Sequence, residues 1–82
     1  MTIVEIAKIA YDIVGAYLEA EHQEKQPNWD ELEPDQQASH IDVAQAHATD
    51  AGVPIEVGIK NVTKHNIFKT VVKKLLPFLN VE

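Results

Sequence analysis

The N-terminal third of the chain carries a hydrophobic pattern with the period of an α-helix. Thr2 and Glu5 form a T-x-x-E capping box that starts this helix. Its apolar residues lie on two adjacent stripes, Val4, Ala7, Tyr11, Val14 and Leu18 on one and Ile3, Ile6, Ala10, Ile13 and Tyr17 on the other. We predict a helix over about residues 3–24, with an apolar face wide enough for a bundle core or for a core and a dimer contact.

Two further helices are predicted, the second from a weaker form of this hydrophobic pattern and the third from a stronger one. The second is predicted over about residues 34–50, where Pro34 suits a first helical position and most apolar residues are small. The third is predicted over about residues 63–76, because large apolar residues recur there at intervals of three and four before Pro77 ends the run. Residues 53–60 alternate in hydrophobicity and stay open between a strand, an ordered loop and a short helix.

The stretch between the first two helices contains Pro27, Pro34 and the only tryptophan. Trp29 and Leu32 are spaced as a hydrophobic plug that closes one end of a core. The predicted fold class is therefore all-α, a compact three-helix domain with a Pro/Trp turn between helices 1 and 2. The predicted core comprises Ile6, Ala10, Ile13, Tyr17, Trp29, Leu32, Ile41, Ala44, Phe68, Val71, Val72 and Leu75. A glycine inside helix 1, Gly15, suggests close approach of another helix.

Composition narrows the class of protein. With 82 residues the expectation is one domain over residues 1–82, and without cysteine it can form neither a disulfide nor a thiolate metal site. The N-terminus lacks the basic start of a signal peptide, and no apolar run approaches the roughly 20 residues that span a bilayer. We therefore expect a soluble cytoplasmic protein that does not bind membranes.

Charge is distributed unevenly along the chain. The formal net charge is −6, with eleven carboxylates against two lysines in residues 1–53 and five lysines against two carboxylates in residues 54–82. Two readings stay open: a basic helix that packs against an acidic body, or a lysine strip that binds phosphate or an acidic partner. The candidate phosphate-binding residues are Lys64, His65, Lys69 and Lys73. The acidic balance and the absence of arginine make nucleic acid an unfavourable partner.

No residue pattern predicts an enzyme or a cofactor. The histidines are His22, His40, His47 and His65. His40 and His47 share a helix face two turns apart, about 10 Å along the axis, which is too far for one shared metal ion; a metal site across an oligomer stays open. Ser39 and His40 are neighbours on a helix and point in different directions, so they do not form a nucleophile–base pair.

Several segments resemble the ryanodine-receptor-type repeat domain found in many phage and bacterial proteins. In that family a helix leads into a Pro-x-Trp-[Asp/Glu]-x-[Leu/Ala] turn and then into a helix with Gln-x-Ser-x-Ile. The matching segments are Ile6-Ala7, Ala16-Tyr17, Gln26 to Leu32, Gln37 to Val43 and Ile67 to Val72, about half the chain. The family's central insert, with its Gly-Trp segment and Pro-Tyr-[Asp/Glu]-x-Leu motif, is missing here. The resemblance thus implies an α-helical fold and a phage or prophage origin, and it transfers no binding residues.

The sequence therefore predicts a non-enzymatic phage or prophage accessory protein that binds stoichiometrically to a host or phage protein, with a homodimer as a possible assembly. The alternative is a binder of a nucleotide or nucleotide-derived signal, with the phosphates on the lysine-lined surface of helix 3. Native mass of the purified protein distinguishes them, because a bound nucleotide adds mass to the subunit.

Overall fold

Three α-helices and two short 3-10 turns make up the part of the chain that the computed structural model describes, residues 1–49 and 59–80. The helices are α1 (Ile3–His22), α2 (Pro34–Ala48) and α3 (Ile59–Leu75), and the 3-10 turns are Trp29–Glu31 and Leu76–Phe78. These described residues contain no strand. The predicted all-α, three-helix fold class is confirmed.

The ends of the helices differ from the predicted ones. α1 ends at His22, two residues early, because Gln23 adopts a left-handed backbone conformation with φ of 50°. There the N–H groups of Gln23 and Glu24 both donate to the carbonyl of Leu18, which satisfies an otherwise unpaired group at the helix end.

Of the other two helices, α2 is shorter than predicted and α3 is longer. α2 ends at Ala48 and Thr49 caps it, its N–H donating to the carbonyl of Gln45 over 3.0 Å. α3 begins at Ile59, four residues before its predicted start. Of the ambiguous segment 53–60, only its last two residues are described, and they are helical; residues 50–58 lie outside the described part of the chain.

Both α2 and α3 run antiparallel to α1. The N–H of Asn80 donates to the carbonyl of Met1 over 2.9 Å, so the chain beyond α3 returns to the start of α1. Gln45 and Ala48, near the end of α2, share a surface depression with Ile3. α2 and α3 are therefore parallel to each other, and their facing side chains meet along a seam.

The core lies between the three helices and the Trp29 turn. Its buried apolar residues are Ile6, Ala7, Ala10, Tyr11, Val14, Leu18, Trp29, Ala44, Phe68 and Val72. Trp29 retains 7% exposure, and its ring packs edge-to-face on that of Tyr11 with centroids 5.6 Å apart. Leu32 is partly buried against this core.

The buried face of α1 is rotated about the helix axis relative to the predicted core positions. Ile13 is 43% exposed, so its assignment to the core is wrong, and Tyr17 is only partly buried. The buried face instead combines members of both stripes and is centred on Ala10, Val14 and Leu18. Contact with α2 on one side and α3 on the other sets this centre, which periodicity alone does not fix.

Gly15 makes room for a side chain and not for a helix, so its predicted role is corrected. A Cβ at Gly15 would lie 2.5 Å from Nε2 of Gln26. That Nε2 donates to the carbonyl of Tyr11 over 2.8 Å, and the Tyr11 hydroxyl donates to the carbonyl of Pro27 over 2.6 Å. This pair of hydrogen bonds, here called the Tyr11 clasp, holds the segment after α1 against the helix.

Replacement of Trp29 by Ala should lower the free energy of unfolding by about 3–5 kcal/mol, because it leaves a cavity beside Tyr11. Trp29→Phe keeps a ring there and should lose clearly less. Since Trp29 is the only tryptophan, urea unfolding should be followed by circular dichroism. A Trp29→Ala midpoint equal to that of the wild type would show that the Trp29 turn adds little to the core.

Gly15→Ala should be nearly neutral, because the helix-propensity gain of about 1 kcal/mol is offset by displacement of the Gln26 amide. In the Gln26→Ala background the same change should stabilise the protein by about 1 kcal/mol. Urea unfolding of the four proteins of this double-mutant cycle measures the coupling. Additive effects would mean that Gln26 does not restrict this position.

Candidate functional site

The seam between α2 and α3 contains a histidine pair. His47 of α2 is 4% exposed, and half-buried His65 of α3 lies against it with ring centroids 4.8 Å apart at an interplanar angle of 71°. Phe68 borders the same ring at 6.2 Å. Lys69 and Lys73, one and two turns after His65, act electrostatically on His47. We call His47, His65, Lys69 and Lys73 the His47 cluster.

His47 is the one buried polar residue of the described chain. Its Nε2 atom is fully buried and finds no hydrogen-bond partner among the described residues. A buried polar atom without a partner costs about 1–3 kcal/mol, and more if it is charged. The seam is thus the least satisfied part of an otherwise apolar interior.

Burial and neighbouring charges both act on the proton affinity of His47. Burial lowers the pKa of His47 from its ordinary value of 6.5, and the positive charges of His65, Lys69 and Lys73 lower it further. No described carboxylate is among the groups that act on it. His47 is therefore held in its neutral form.

The four predicted phosphate-binding residues act on two different histidines. His65, Lys69 and Lys73 act electrostatically on His47, whereas half-buried Lys64 acts on His40, nearer the start of α2. Lys69 is exposed and Lys73 is half-buried.

Sequence reasoning missed His47 as a member of the site. Its signal was its position three residues after Ala44, on the inward stripe of α2, where a polar side chain is unusual. Histidine is common enough on helix surfaces that the position alone did not distinguish a buried imidazole from an exposed one.

A second histidine, His40, packs among aromatic rings beside the Trp29 turn. His40 lies 4.9 Å from the ring of Tyr11, 6.1 Å from that of Trp29 and 6.2 Å from that of Phe68, measured between centroids. Burial lowers the pKa of His40, and the charge of Lys64 lowers it further. Burial raises the pKa of the Tyr11 hydroxyl, which keeps it protonated as the donor of the Tyr11 clasp. We call these four rings the Tyr11 layer.

The described residues hold no group of three or more potential metal ligands. The Oγ of Ser39 donates to the carbonyl of Asp35 over 3.0 Å, so this hydroxyl is engaged by its own helix. The surface also contains two depressions. One, of about 580 Å³, lies between the ends of the chain and α2, and the other, of about 310 Å³, lies on α3 beside Ile67 and Val71. Neither contains a charged side chain among its described lining residues.

Comparison with family models, curated proteins and solved structures finds no match to this chain. The resemblance to the ryanodine-receptor-type repeat and the phage origin therefore stay predictions. None of the described helices has the length and hydrophobicity that crossing a bilayer requires.

Lys69→Gln should raise the pKa of His47, because it removes one of the positive charges that oppose protonation. Lys74→Gln is the matched control: it removes the same charge from the same helix, from an exposed position that does not act on His47. The measurement is an NMR titration of the imidazole carbon and proton shifts. Equal His47 pKa values in the two variants would contradict the placement of Lys69 in the cluster.

Proposed function

We propose that this protein is a non-enzymatic binding module that forms a stoichiometric complex with another protein. The observation that carries the proposal is the exposure of its acidic residues: in residues 1–49 all ten carboxylates are exposed, against two exposed lysines. Exposed charges of one sign steer a partner of opposite charge and set the orientation of the complex. The expected partner is a protein with a basic surface, in a phage-infected or prophage-carrying host.

The densest part of this acidic surface is the Trp29 turn. Four exposed carboxylates lie in this turn or just after it. They are Asp30, Glu31, Glu33 and Asp35, here called the turn cluster. The backbone beneath them is well held. Nε2 of Gln37 donates to the carbonyl of Trp29 over 2.9 Å, and the N–H of Leu32 donates to the same carbonyl over 3.1 Å. Because these hydrogen bonds fix the backbone, the carboxylates attached to it have a more restricted arrangement before binding. Less conformational entropy is then lost when a partner binds.

The carboxylates of the turn cluster differ in what they contribute to the fold. Glu31 accepts a hydrogen bond from the N–H of Asn28 over 3.1 Å and is part of the turn. Asp30 accepts no side-chain hydrogen bond within the described chain. Glu33 is the N-cap residue of α2 and forms a capping box with Gln36, so a substitution there has to keep a side-chain acceptor. These two positions supply the variants for a binding experiment.

The experiment is capture of the partner on the immobilised protein, followed by native mass spectrometry of the isolated complex. The expected result is one complex of fixed stoichiometry that dissociates as salt rises, since exposed charges are screened over about 8 Å at physiological ionic strength. The Asp30→Asn/Glu33→Gln double variant removes two charges and keeps a side-chain acceptor at the N-cap, and it should weaken the complex by about threefold or more.

The matched control is the Glu19→Gln/Asp42→Asn double variant, which makes the same charge change at exposed positions away from the turn cluster. It should retain most of the affinity. Capture of no specific protein would argue against a binding module. Equal weakening by both double variants would mean that net charge and not the turn cluster guides the complex. Binding of a nucleotide or nucleotide-derived signal on α3 stays a prediction, which added mass on the uncomplexed protein would support.

A further inference from the structure

The His47 cluster brings a titratable side chain into the contact between two helices. His47 is 4% exposed, its Nε2 lacks a partner among the described residues, and its ring lies 4.8 Å from that of His65. The proposed protein-binding function uses none of these groups. A neutral imidazole is tolerated in such a place, whereas an imidazolium needs a hydrogen-bond acceptor or water for each N–H.

Among the described residues, Nε2 of His47 finds no hydrogen-bond partner and no carboxylate acts on the ring. From α3, His65 lies against it, and Lys69 and Lys73 act on it electrostatically; all three are cationic when protonated. From α1, the buried face is apolar except for Tyr11, whose hydroxyl is already a donor to Pro27. Within the described chain, a proton on His47 therefore meets desolvation and like charge, against the weak attraction of the Phe68 ring 6.2 Å away.

We propose that His47 and His65 form a proton-operated contact, in which proton uptake separates the C-terminal half of α2 from α3 while α1 and the Trp29 turn stay packed. Separation gives both imidazoles access to water and increases the distance of His47 from the lysines. It also exposes the apolar surface that Phe68 buries beside His47.

The direction of the pH effect follows from proton linkage. The pKa of His47 in the closed contact lies below 6.5, so the open form binds more protons in the interval between that pKa and 6.5. The contact therefore has its full stability above pH 6.5 and weakens as the pH falls below it. The opening constant rises by up to about tenfold per pH unit until the pKa of the closed form is reached.

Opening is expected at the His47 end of the α2–α3 seam. The His40 end is stabilised by the Tyr11 clasp and by the aromatic rings of the Tyr11 layer. The Tyr11 clasp joins α1 to the following segment through two hydrogen bonds that involve no histidine. The pKa of His40 is also lowered by burial. However, His40 is only half-buried, and the rings of the Tyr11 layer around it can attract an imidazolium. Its protonation is thus better tolerated than that of His47.

Amide hydrogen exchange by NMR on the full chain, between pH 5.0 and 7.5 and corrected for intrinsic rates, tests the proposal. The opening constants of amides in Ala44–Ala48 should rise by up to about tenfold per unit below pH 6.5. Those of amides in Ala10–Leu18 should change much less. A parallel rise in both segments would indicate global unfolding and would overturn a local contact.

His47→Gln, which cannot take up a proton, should remove the pH dependence at the end of α2. His40→Gln and His22→Gln, in α2 and at the end of α1 respectively, should leave it in place. If His47→Gln does not fold, His65→Gln serves instead, because loss of the facing charge should reduce the dependence. Persistence of the full dependence in His47→Gln, or in His65→Gln where that variant serves instead, would overturn the assignment.

Discussion

The packing of Tyr11 is the interaction on which the rest of the structure depends. Its ring contacts Trp29 from the turn and His40 from α2, and its hydroxyl bonds the carbonyl of Pro27. Through His40 the layer extends to Phe68 of α3. One side chain of α1 thereby connects to every other major element, which a chain of this size needs, because a small core leaves little surplus stability.

The same constraint explains why the two ends of the α2–α3 seam differ. Near the Tyr11 layer, aromatic rings fill the space and a hydroxyl is satisfied by a carbonyl. Seven residues further along α2, His47 takes the place that an apolar residue could fill, and its Nε2 has no partner in the described chain. A polar group in such a position lowers stability and makes the contact sensitive to protonation. The seam is thus both a structural contact and the candidate site of regulation.

Charge is separated in space as well as along the chain. The exposed carboxylates of residues 1–49 lie mostly on α1, the Trp29 turn and α2, whereas Lys64, Lys69 and Lys73 of α3 act electrostatically on histidines of α2. An acidic surface and a basic seam can therefore serve different purposes, the first in recognition of a partner and the second in the response to pH. Neither purpose requires a metal ion, a cofactor or a nucleophile.

The sequence by itself determined the helical class, the Thr2–Glu5 cap, the Trp29 turn and the separation of charge, because each depends on residues close together in the chain. Only the tertiary structure decided which face of α1 is buried, that Ile13 is exposed, and that Gly15 accommodates Gln26. It also decided that Lys69 and Lys73 act electrostatically on a buried His47, while Lys64 acts on His40. These features depend on how three helices meet, and a periodic pattern defines a face without defining what lies opposite it.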